Sequence, residues 1–519
     1  MVATPLGVVI ARHRRLAWVN GSLLVAGTTS DAGKSVVTSG LCRLLARRGV
    51  RVAPFKAQNM SNNSMVVAGP DGNGAEIGRA QWIQAVAAGA VPEVAMNPVL
   101  LKPGSDLSSH VVLRGRPDGV ITSMEFAGSR TRLAEAAFAA YDDLASRFDA
   151  VVCEGAGSPT EINLRAHDYV NLGLARHADM PVVVVGDIDR GGLYAALYGT
   201  LALLEPADQR LVCGFLVNKF RGERALLEPA NRELARLTGR RVLGVLPWST
   251  EVWLDSEDGL DAAGSRATTD DPLRVAVVRF PRISNFTDVD ALGLEPDLDV
   301  RYAARPADLV GADLVVLPGT RATLADLDWL RRRGLDAAVA QHAAAGGAVL
   351  GICGGFQMLG RAVDDPTGVE GPVGASAPGL GLLDVRTLFA PEKVLRLSSG
   401  SAFGVPVSGY EIHHGVVSGI EEPFPGGARR GAVFGTMWHG SLESDDFRAA
   451  FLSEVAAAAG RSRAPSGVSF AAAREARLDL LADLLEQHAD ADALLELLSG
   501  GAPTGLPVLA PGTGRGAGS

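Results

Sequence analysis

A glycine-rich turn near the start of the chain has residue types suited to binding phosphate. It reads GTTSDAGKS (27–35) and lies between the apolar run SLLVAG (22–27) and the helical pattern VVTSGLCRLLARRG. In such a turn, backbone N–H groups and the helix dipole bind phosphate oxygens, Lys34 would reach the β- and γ-phosphates, and the Ser35 hydroxyl would bind Mg²⁺. Five residues, rather than the usual four, separate the two glycines. A chance Gly-rich turn is the alternative, but GKS in this context favours an ATP-binding loop that includes Gly27, Thr28, Asp31, Gly33, Lys34 and Ser35.

Two residues at the ends of apolar runs are candidates to complete this site. Glu154 ends the run in DAVVCEG, where a carboxylate can complete a Mg²⁺ shell together with Ser35. Asn218 ends LVCGFLVNK, where its amide can bind an adenine edge. Polar residues at such positions also cap the following helix. We favour the metal role for Glu154, and both interpretations stay open for Asn218.

A second chemical centre is predicted at Cys353. The segment GAVLGICGGFQMLG places this cysteine after an apolar strand, in the frame Gly351-Ile352-Cys353-Gly354-Gly355. A nucleophile in a G-x-C-x-G turn lies on a sharp strand-to-helix bend that the glycines allow. Backbone N–H groups at the helix N-terminus lower the thiol pKa and can stabilise an oxyanion. The alternative is a buried structural cysteine, our interpretation of Cys42 and Cys213, but the glycine frame favours a nucleophile.

A thiolate nucleophile needs a histidine partner. The chain has nine histidines, and His413, His414 and His439 follow β-like segments in its second half. We predict His439 as the partner because AVFGTMWHG ends a strand and the following glycine leaves the imidazole accessible. His413 is interpreted as a packed histidine with its hydrogen bonds satisfied.

The strands and helices that must position these residues fall into two α/β regions, one in each half of the chain. Near-continuous apolar runs alternate with Ala/Leu-rich helical stretches, a pattern typical of parallel sheets covered on both faces. We therefore predict two doubly wound parallel-sheet domains with a helical C-terminal extension. The predicted boundaries are an N-terminal extension at 1–20, an ATP-binding domain at 21–260, a linker at 261–272, a glutaminase domain at 273–455, a helical extension at 456–500 and a disordered tail at 501–519.

Composition narrows the class of protein. The formal net charge of −9 argues against a nucleic-acid-binding surface as the main activity. The four cysteines form no CxxC pair, which argues against a zinc site or a disulfide framework and fits a reducing compartment. No apolar run approaches the ~20 residues of a membrane helix. The N-terminal basic cluster follows the apolar stretch, which is the wrong order for a secretory signal. We expect a cytoplasmic protein that does not bind membranes.

Several segments resemble the cobyric acid synthases, the glutamine-dependent amidases of cobalamin biosynthesis. These are the phosphate loop, PFKAQNMSNNS (54–64), EIGRAQW (76–82), MNPVLLKP (96–103), GDIDRGG (186–192), LPGTRAT (317–323), GICGGFQMLG (351–360) and GYEIH (409–413). The resemblance runs from about Ser22 to about residue 450. It implies a dethiobiotin-synthetase-like P-loop domain followed by a class I-like glutamine amidotransferase domain. It also assigns Cys353 and His439 to the nucleophile and histidine positions.

The resemblance implies a reaction and its partners. ATP, with Mg²⁺, activates the b, d, e and g carboxylates of adenosylcobyrinic acid a,c-diamide, and ammonia from glutamine converts each to an amide. Where dethiobiotin synthetase has a metal-binding aspartate, this chain has Lys56 and Asn59, so Lys56 is a candidate to hold a substrate carboxylate. Triad glutaminases carry Glu two residues after the histidine, but that position is Ser441 here. The third member is therefore open, with Glu443 and Glu411 as candidates.

Other functions fit less well. Cobyrinic acid a,c-diamide synthase has the same two-domain plan but is expected to lack AQNMSNNS, and other glutamine-dependent carboxylate amidases share only the general plan. A stand-alone carboxylate kinase has no use for the Cys353 domain. A P-loop switch protein usually has a second lysine early in the loop, where this chain has Thr28 and Thr29. The oligomeric state stays open.

Overall fold

The structure is a computed structural model that describes residues 19–69, 71–105, 108–122, 126–249 and 267–510. Two large sheets dominate it, one in each predicted domain, and both have helices packed against them, as expected from the strand pattern. The predicted N-terminal extension lies outside the described residues except for Val19 and Asn20, and so do 261–266 of the predicted linker. Among the described residues, no helix has the length and apolar content needed to span a membrane.

The first domain is built on a six-stranded, fully parallel sheet in the order β12-β11-β10-β1-β9-β2. Its central strands are buried along almost their whole length, which explains their continuous Val, Leu and Ala content. The strands are β1 Gly21–Gly27, β2 Val52–Phe55, β3 Gln58–Met60, β4 Ser64–Ala68, β5 Gly74–Gly78, β6 Val99–Ser105, β7 Ser108–Leu113, β8 Arg116–Thr122, β9 Ala150–Glu154, β10 Val182–Asp187, β11 Val212–Phe220 and β12 Arg241–Pro247. The helices are α1 Lys34–Arg47, α2 Arg79–Ala87, α3 Phe126–Arg147, α4 Leu172–Ala178, α5 Leu193–Ala202, α6 Pro206–Gln209 and α7 Glu228–Thr238.

An insertion between β2 and β9 adds two smaller sheets. Strands β3, β6, β7 and β8 form one, and the β4–β5 hairpin forms the other. Most of the family-like segments of the first half, including PFKAQNMSNNS, lie in this insertion. It also carries the residues that reach the second domain.

The second domain has a seven-stranded sheet in the order β14-β13-β15-β16-β23-β22-β21. The first five strands are parallel, and at the edge β22 pairs antiparallel with β23 and β21 pairs antiparallel with β22. A second sheet contains the long β19–β20 hairpin. The strands are β13 Leu273–Val278, β14 Leu298–Ala303, β15 Leu314–Leu317, β16 Ala348–Ile352, β17 Ala362–Asp365, β18 Ala375–Pro378, β19 Val385–Ala402, β20 Val405–Gly419, β21 Glu422–Phe424, β22 Gly427–Arg430 and β23 Val433–Thr436. The helices are α8 Thr323–Arg332, α9 Leu335–Ala344, α10 Gly354–Leu359 and α11 Asp445–Ala458.

The C-terminal helices, α12 Phe470–His488 and α13 Ala491–Gly500, return to the first domain. Leu478, Leu481 and Leu498 are buried in one apolar cluster with β1 and α1. Charge pairs reinforce the contact: Arg43 on α1 lies 2.8 Å from Asp479, and Arg47 lies 2.6 Å from Asp483. The helical extension is therefore structurally part of the ATP-binding domain.

Residues 501–510 contact the first domain rather than forming the expected disordered tail. The Leu509 N–H donates to Gln209 Oε1 at 2.7 Å, and the Gln209 amide donates back to the Leu509 carbonyl at 3.0 Å. The remainder of the predicted tail, 511–519, lies outside the described residues.

Candidate active sites

The phosphate-binding candidate lies at the turn between β1 and α1. Gly33 has φ 102°, and a Cβ there would lie 1.9 Å from Asn218 Nδ2, so both conformation and space require glycine. Asn218 donates from Nδ2 to the Ala32 carbonyl at 3.0 Å, which fastens the end of β11 to the loop. Lys34 Nζ donates to the carbonyls of Thr29 and Ser30 at 2.8 and 2.9 Å. The lysine ammonium therefore lies over the loop.

The loop is also joined to its neighbouring strands through the predicted residues Thr28 and Asp31. The Thr28 N–H donates to Val185 of β10 at 2.9 Å, which holds the start of the turn, at Gly27, beside the sheet. Asp31 forms an ion pair of 2.7 Å with Arg190. Lys219 donates to the Asp31 carbonyl at 2.9 Å. These contacts fix the loop backbone.

Glu154 lies at the end of β9, next to the loop, and is 1% exposed. Its Oε1 accepts from Ser35 Oγ at 2.9 Å and from Lys56 Nζ at 3.0 Å, and Gln84 donates to its Oε2 at 2.5 Å. Burial by itself would raise the Glu154 pKa, but the charges of Lys56 and Lys34 and these hydrogen bonds outweigh it and lower the pKa. The carboxylate is therefore ionised and lies directly against Ser35.

The two residues predicted to bind substrate, Lys56 and Asn59, have different hydrogen-bond partners. Lys56 is a direct partner of Glu154 and is 4% exposed. Asn59 is 1% exposed, and its Nδ2 has no hydrogen-bond partner among the described residues. A Cβ on Gly78 would lie 2.5 Å from this Nδ2, so Asn59 points toward the start of α2.

Cys353 lies on a sharp turn between β16 and α10. Its φ of 50° and ψ of −109° are a sparsely populated conformation for a residue with a side chain. A Cβ at Gly351 would meet the Phe356 backbone at 2.7 Å, and one at Gly355 would meet the Leu317 carbonyl at 1.9 Å. The Cys353 N–H donates to the Thr436 carbonyl at 2.7 Å, which holds the turn beside β23. The glycines therefore allow the turn to pack closely against α10 and β15, as expected from the sequence.

His439 follows β23 and is 1% exposed. Its Nδ1 lies 2.6 Å from Asp288 Oδ2, and the Gly440 N–H donates to Asp288 Oδ1 at 2.8 Å. Burial would lower the His439 pKa, but the negative charges of Asp288 and Cys353 raise it to about 10. The imidazole is therefore held as a cation with Nδ1 facing the aspartate, which leaves Nε2 for the Cys353 sulfur.

Neither candidate for the third member holds that position. Glu411 pairs with His413 at 3.0 Å, which also supplies the partner expected for that packed histidine. Glu443 pairs with Arg79 of the first domain at 2.9 Å and with Arg474 of α12 at 2.7 Å, so it joins three parts of the chain. The third member of the geometry is Asp288, which we did not predict.

Asp288 lies in a short 3₁₀ turn, Phe286–Val289, in the loop between β13 and β14. It is 151 positions from His439 along the chain, so no local motif connects the two. A weaker signal exists: the turn follows the carboxyl end of a central parallel strand, the edge where the functional residues of open α/β sheets gather.

Cys353 and His439 line the same small cavity, and residues of both domains form its wall. The second domain contributes Arg321, Glu370 and Lys393 among others, and the first domain contributes Asn62 and Lys102. Burial is the main cause that raises the Glu370 pKa to about 7, which Arg321 and Thr323 partly oppose. A cavity with an acidic and several basic groups suits a zwitterionic amino acid.

Comparison with known proteins finds a match for each of the two domains. Residues 23–262 match the CobQ/CobB/MinD/ParA nucleotide binding domain, and residues 274–447 match the CobB/CobQ-like glutamine amidotransferase domain. The chain is 67% identical over 493 residues to a protein named cobyric acid synthase from Mycolicibacterium gilvum, covering 94% of this chain and 99% of that protein. Proteins of the same name from Mycobacterium tuberculosis H37Rv and Mycobacterium ulcerans are 66% and 65% identical, with the same coverage of both chains.

Proposed function

The chain belongs to the cobyric acid synthase family, whose members are glutamine-dependent amidating ligases, and on this premise we propose that it converts adenosylcobyrinic acid a,c-diamide to adenosylcobyric acid. The reaction amidates the b, d, e and g carboxylates, with ATP and glutamine consumed for each. One observation carries the proposal: a phosphate loop beside an ionised carboxylate and a Cys–His–Asp arrangement occur in one chain, and the second borders the first domain.

In the second domain, Cys353 would act as the nucleophile. The thiolate attacks the side-chain carbonyl carbon of glutamine, the C–N bond breaks, and a thioester forms as ammonia leaves. The His439 cation donates the proton to the leaving nitrogen and then removes one from the water that hydrolyses the thioester. Asp288 at Nδ1 orients the ring and stabilises its charge, as in other nucleophile–histidine–aspartate sites. Glutamate is the second product.

In the first domain, the loop would hold ATP while the acceptor carboxylate is phosphorylated. Backbone N–H groups of the loop and the start of α1 would bind phosphate oxygens, and Lys34 would exchange its carbonyl partners for the β- and γ-phosphates. Lys56 would hold the acceptor carboxylate, with Asn59 deeper in the same region. Asn218 contacts the loop through the Ala32 carbonyl, and its amide would bind the base.

Ser35 and Glu154 fit a Mg²⁺ ion. Mg²⁺ prefers oxygen ligands and is commonly bound by one or two carboxylates together with substrate phosphates, and these two side chains already meet at 2.9 Å. Among the described residues, no group of three or more His, Cys, Asp or Glu side chains could hold a metal alone. When bound, Mg²⁺ would neutralise the charge of the transferred phosphate.

We also propose a reducing, cytoplasmic location. All four cysteines are unpaired, including Cys353, whose proposed role requires a free thiol.

The test measures whether the purified protein amidates its expected substrate. The protein would be incubated with ATP, Mg²⁺, glutamine and the a,c-diamide, and corrinoid masses would be followed in time. Four successive decreases of about one mass unit, as each hydroxyl becomes an amino group, are expected. An unchanged corrinoid with active glutaminase would refute the proposed acceptor.

A further inference from the structure

The cavity that contains Cys353 ends on the first domain. Asn62 and Lys102 form part of its wall, and the contact behind them is tight. The Ser64 N–H donates to Asn285 Oδ1 of the second domain at 3.0 Å. Lys102 lies 2.5 Å from the fully buried Glu76, which also pairs with Lys393 of the second domain. A small molecule released at Cys353 therefore meets the β3–β4 segment.

Beyond Asn62, a row of buried amide side chains leads into the first domain. Its further members are Asn63, Asn59, Gln81 and Gln84, each at most 3% exposed. Every one has a side-chain polar atom without a hydrogen-bond partner among the residues that the structure describes. These atoms are Asn62 Oδ1, Asn63 Oδ1, Asn59 Nδ2, both Nε2 and Oε1 of Gln81, and Gln84 Oε1. More than ~90% of buried polar groups in proteins are paired, and an unpaired one costs about 1–3 kcal/mol.

Three members of the row lie close together at the start of α2. The Arg79 N–H donates to the Asn63 carbonyl at 3.0 Å, so Asn63 lies at the start of α2. A Cβ on the adjacent Gly78 would lie 2.5 Å from Asn59 Nδ2 and 2.6 Å from Gln81 Oε1, so those two amides face one point.

The far end of the row is the phosphate-loop site. Gln81 and Gln84 are three residues apart on α2 and share a face of the helix. Gln84 then donates to Glu154 at 2.5 Å. The row therefore joins the Cys353 cavity to the carboxylate beside Ser35 and Lys56.

We propose that ammonia released at Cys353 crosses the first domain along this row and reaches the activated carboxylate beside Glu154. Ammonia is small enough to pass between side chains, and it offers both N–H donors and a lone pair. The amide oxygens of Asn62, Asn63, Gln81 and Gln84 can accept from it, and the nitrogens of Asn59 and Gln81 can donate to it. This inference rests on the proposed function, since it requires that the two sites share one nitrogen atom.

The charges at the entrance favour the neutral molecule. Lys102, Lys393 and Arg321 line the cavity. Their positive charges outnumber the negative charges of Glu370 in the wall and of Glu76 behind it, so an ammonium ion would be repelled there, whereas ammonia would not. Neutral ammonia is also the form with the lone pair that attacks an acyl phosphate. The cationic entrance and the uncharged amide row would therefore deliver the reactive form.

The variant Gln81→Met tests the route. Neither polar atom of Gln81 has a hydrogen-bond partner among the described residues, so an apolar side chain of similar length removes two contacts for ammonia and no bond seen in the protein. We expect unchanged glutaminase activity and unchanged amidation from added ammonium salt. Amide formed per glutamine hydrolysed should fall about tenfold, the effect of losing roughly one hydrogen bond to the passing molecule. Gln341→Met, on the exposed surface of α9, is the matched control and should keep a ratio of one.

An isotope experiment provides the second readout. The glutamine would carry heavy nitrogen in its side-chain amide, and the ammonium in solution would be unlabelled. The wild-type and Gln341→Met proteins should then form amides that contain mainly heavy nitrogen, and Gln81→Met should form amides that contain mainly ordinary nitrogen. Undiminished coupling and heavy label in Gln81→Met would overturn the route. An equal loss of ammonium-dependent amidation would also overturn it, because Gln81 would then serve the acceptor site. A wild-type protein that makes no amide from glutamine would instead refute the proposed function.

Thermal unfolding separates the route from a structural role. Removing unpaired buried polar atoms should leave the Tm of Gln81→Met equal to or above that of the wild type. A lowered Tm together with lost glutaminase activity would assign Gln81 to the fold and contradict the proposal.

Discussion

The two strand-to-helix turns of this protein solve the same geometric problem in different ways. At both turns the residue before the helix has positive φ: Gly33 at 102° before α1, and Cys353 at 50° before α10. The first turn presents backbone N–H groups, so a glycine suffices and no strain arises. The second turn must present a side chain, and the strain of a non-glycine residue is accepted there. The difference shows which atoms each turn is built to expose.

The largest expected effect is from removing the Cys353 side chain at the second turn. Cys353→Ala should lower glutamine-dependent amidation by roughly 10⁴-fold or more, as the loss of a covalent nucleophile does. Amidation with ammonium salt should continue, because the phosphate-loop site is untouched. Parallel assays with the two nitrogen sources measure this. Equal loss with both sources would contradict a role confined to glutamine.

Asp288→Asn should have the next largest effect. Without the charge of Asp288, only Cys353 still opposes the effect of burial, so the His439 pKa falls from about 10. The glutaminase rate should fall by roughly 10²- to 10⁴-fold, the range of general acid–base catalysis. Glu443→Gln is the matched control, because it neutralises a carboxylate that pairs with Arg79 rather than with His439. Its glutaminase rate should stay well above that of Asp288→Asn, and equal losses in the two variants would contradict a specific role for Asp288.

The same variant, Asp288→Asn, has a pH signature in stability. In the wild type, the folded-state pKa of His439 lies above its ordinary value of about 6.5. The stabilisation of the folded protein by the His439–Asp288 ion pair is therefore complete below pH ~6.5 and is lost as the pH rises toward about 10. The difference in Tm between wild type and Asp288→Asn should narrow over that window. A difference that is constant with pH would contradict the ion pair.

Gly33→Ala tests the first turn. The new Cβ would lie 1.9 Å from Asn218 Nδ2, and the alanine would have to adopt positive φ. Strain of about 1–3 kcal/mol should reduce kcat/KM for ATP by roughly 10- to 100-fold. Glutaminase activity measured alone should remain. Unaltered ATP kinetics would show that the loop does not need glycine.

The smallest effect tests the positive φ that the two turns share. Cys353→Gly and Cys353→Ala both lack the nucleophile, but only the glycine relieves the positive φ. The glycine variant should therefore be more stable by about 1 kcal/mol, whereas Gly33→Ala should be less stable than its wild type. Urea unfolding of the three variants measures this. Alanine that is as stable as glycine at either position would contradict the strained conformation on which the comparison rests.

The sequence predicted those parts of the sites that are built from strand ends. Gly33, Ser35 and Glu154 come from two neighbouring parallel strands, and the carboxyl ends of such strands meet at one edge. Cys353 and His439 follow β16 and β23, which are also neighbours. The convergence therefore followed from the order of apolar runs and from local turn patterns.

Features that depend on long-range docking were not predictable in the same way. Asp288 reaches His439 from a loop with no local pattern. The apolar residues of α12 recur at helical spacing, which predicts a helix but not its partner, and the structure packs Leu478 and Leu481 in a cluster with α1. The short strands of the insertion have little periodicity, because β3 and β4 are three and five residues long.

The return of α12 and α13 to the first domain also bears on how the chain is made. A nascent polypeptide leaves the ribosome from its N-terminus at roughly 5–20 residues per second, and domains usually fold in that order. Here Leu41 and Leu45 of α1 lie in an apolar cluster with Leu478 and Leu481, which are synthesised last. The ATP-binding domain would wait, with part of its apolar surface uncovered, until translation of the whole glutaminase has finished. Chaperones that shield such surfaces would then have to stay bound longest to the first domain.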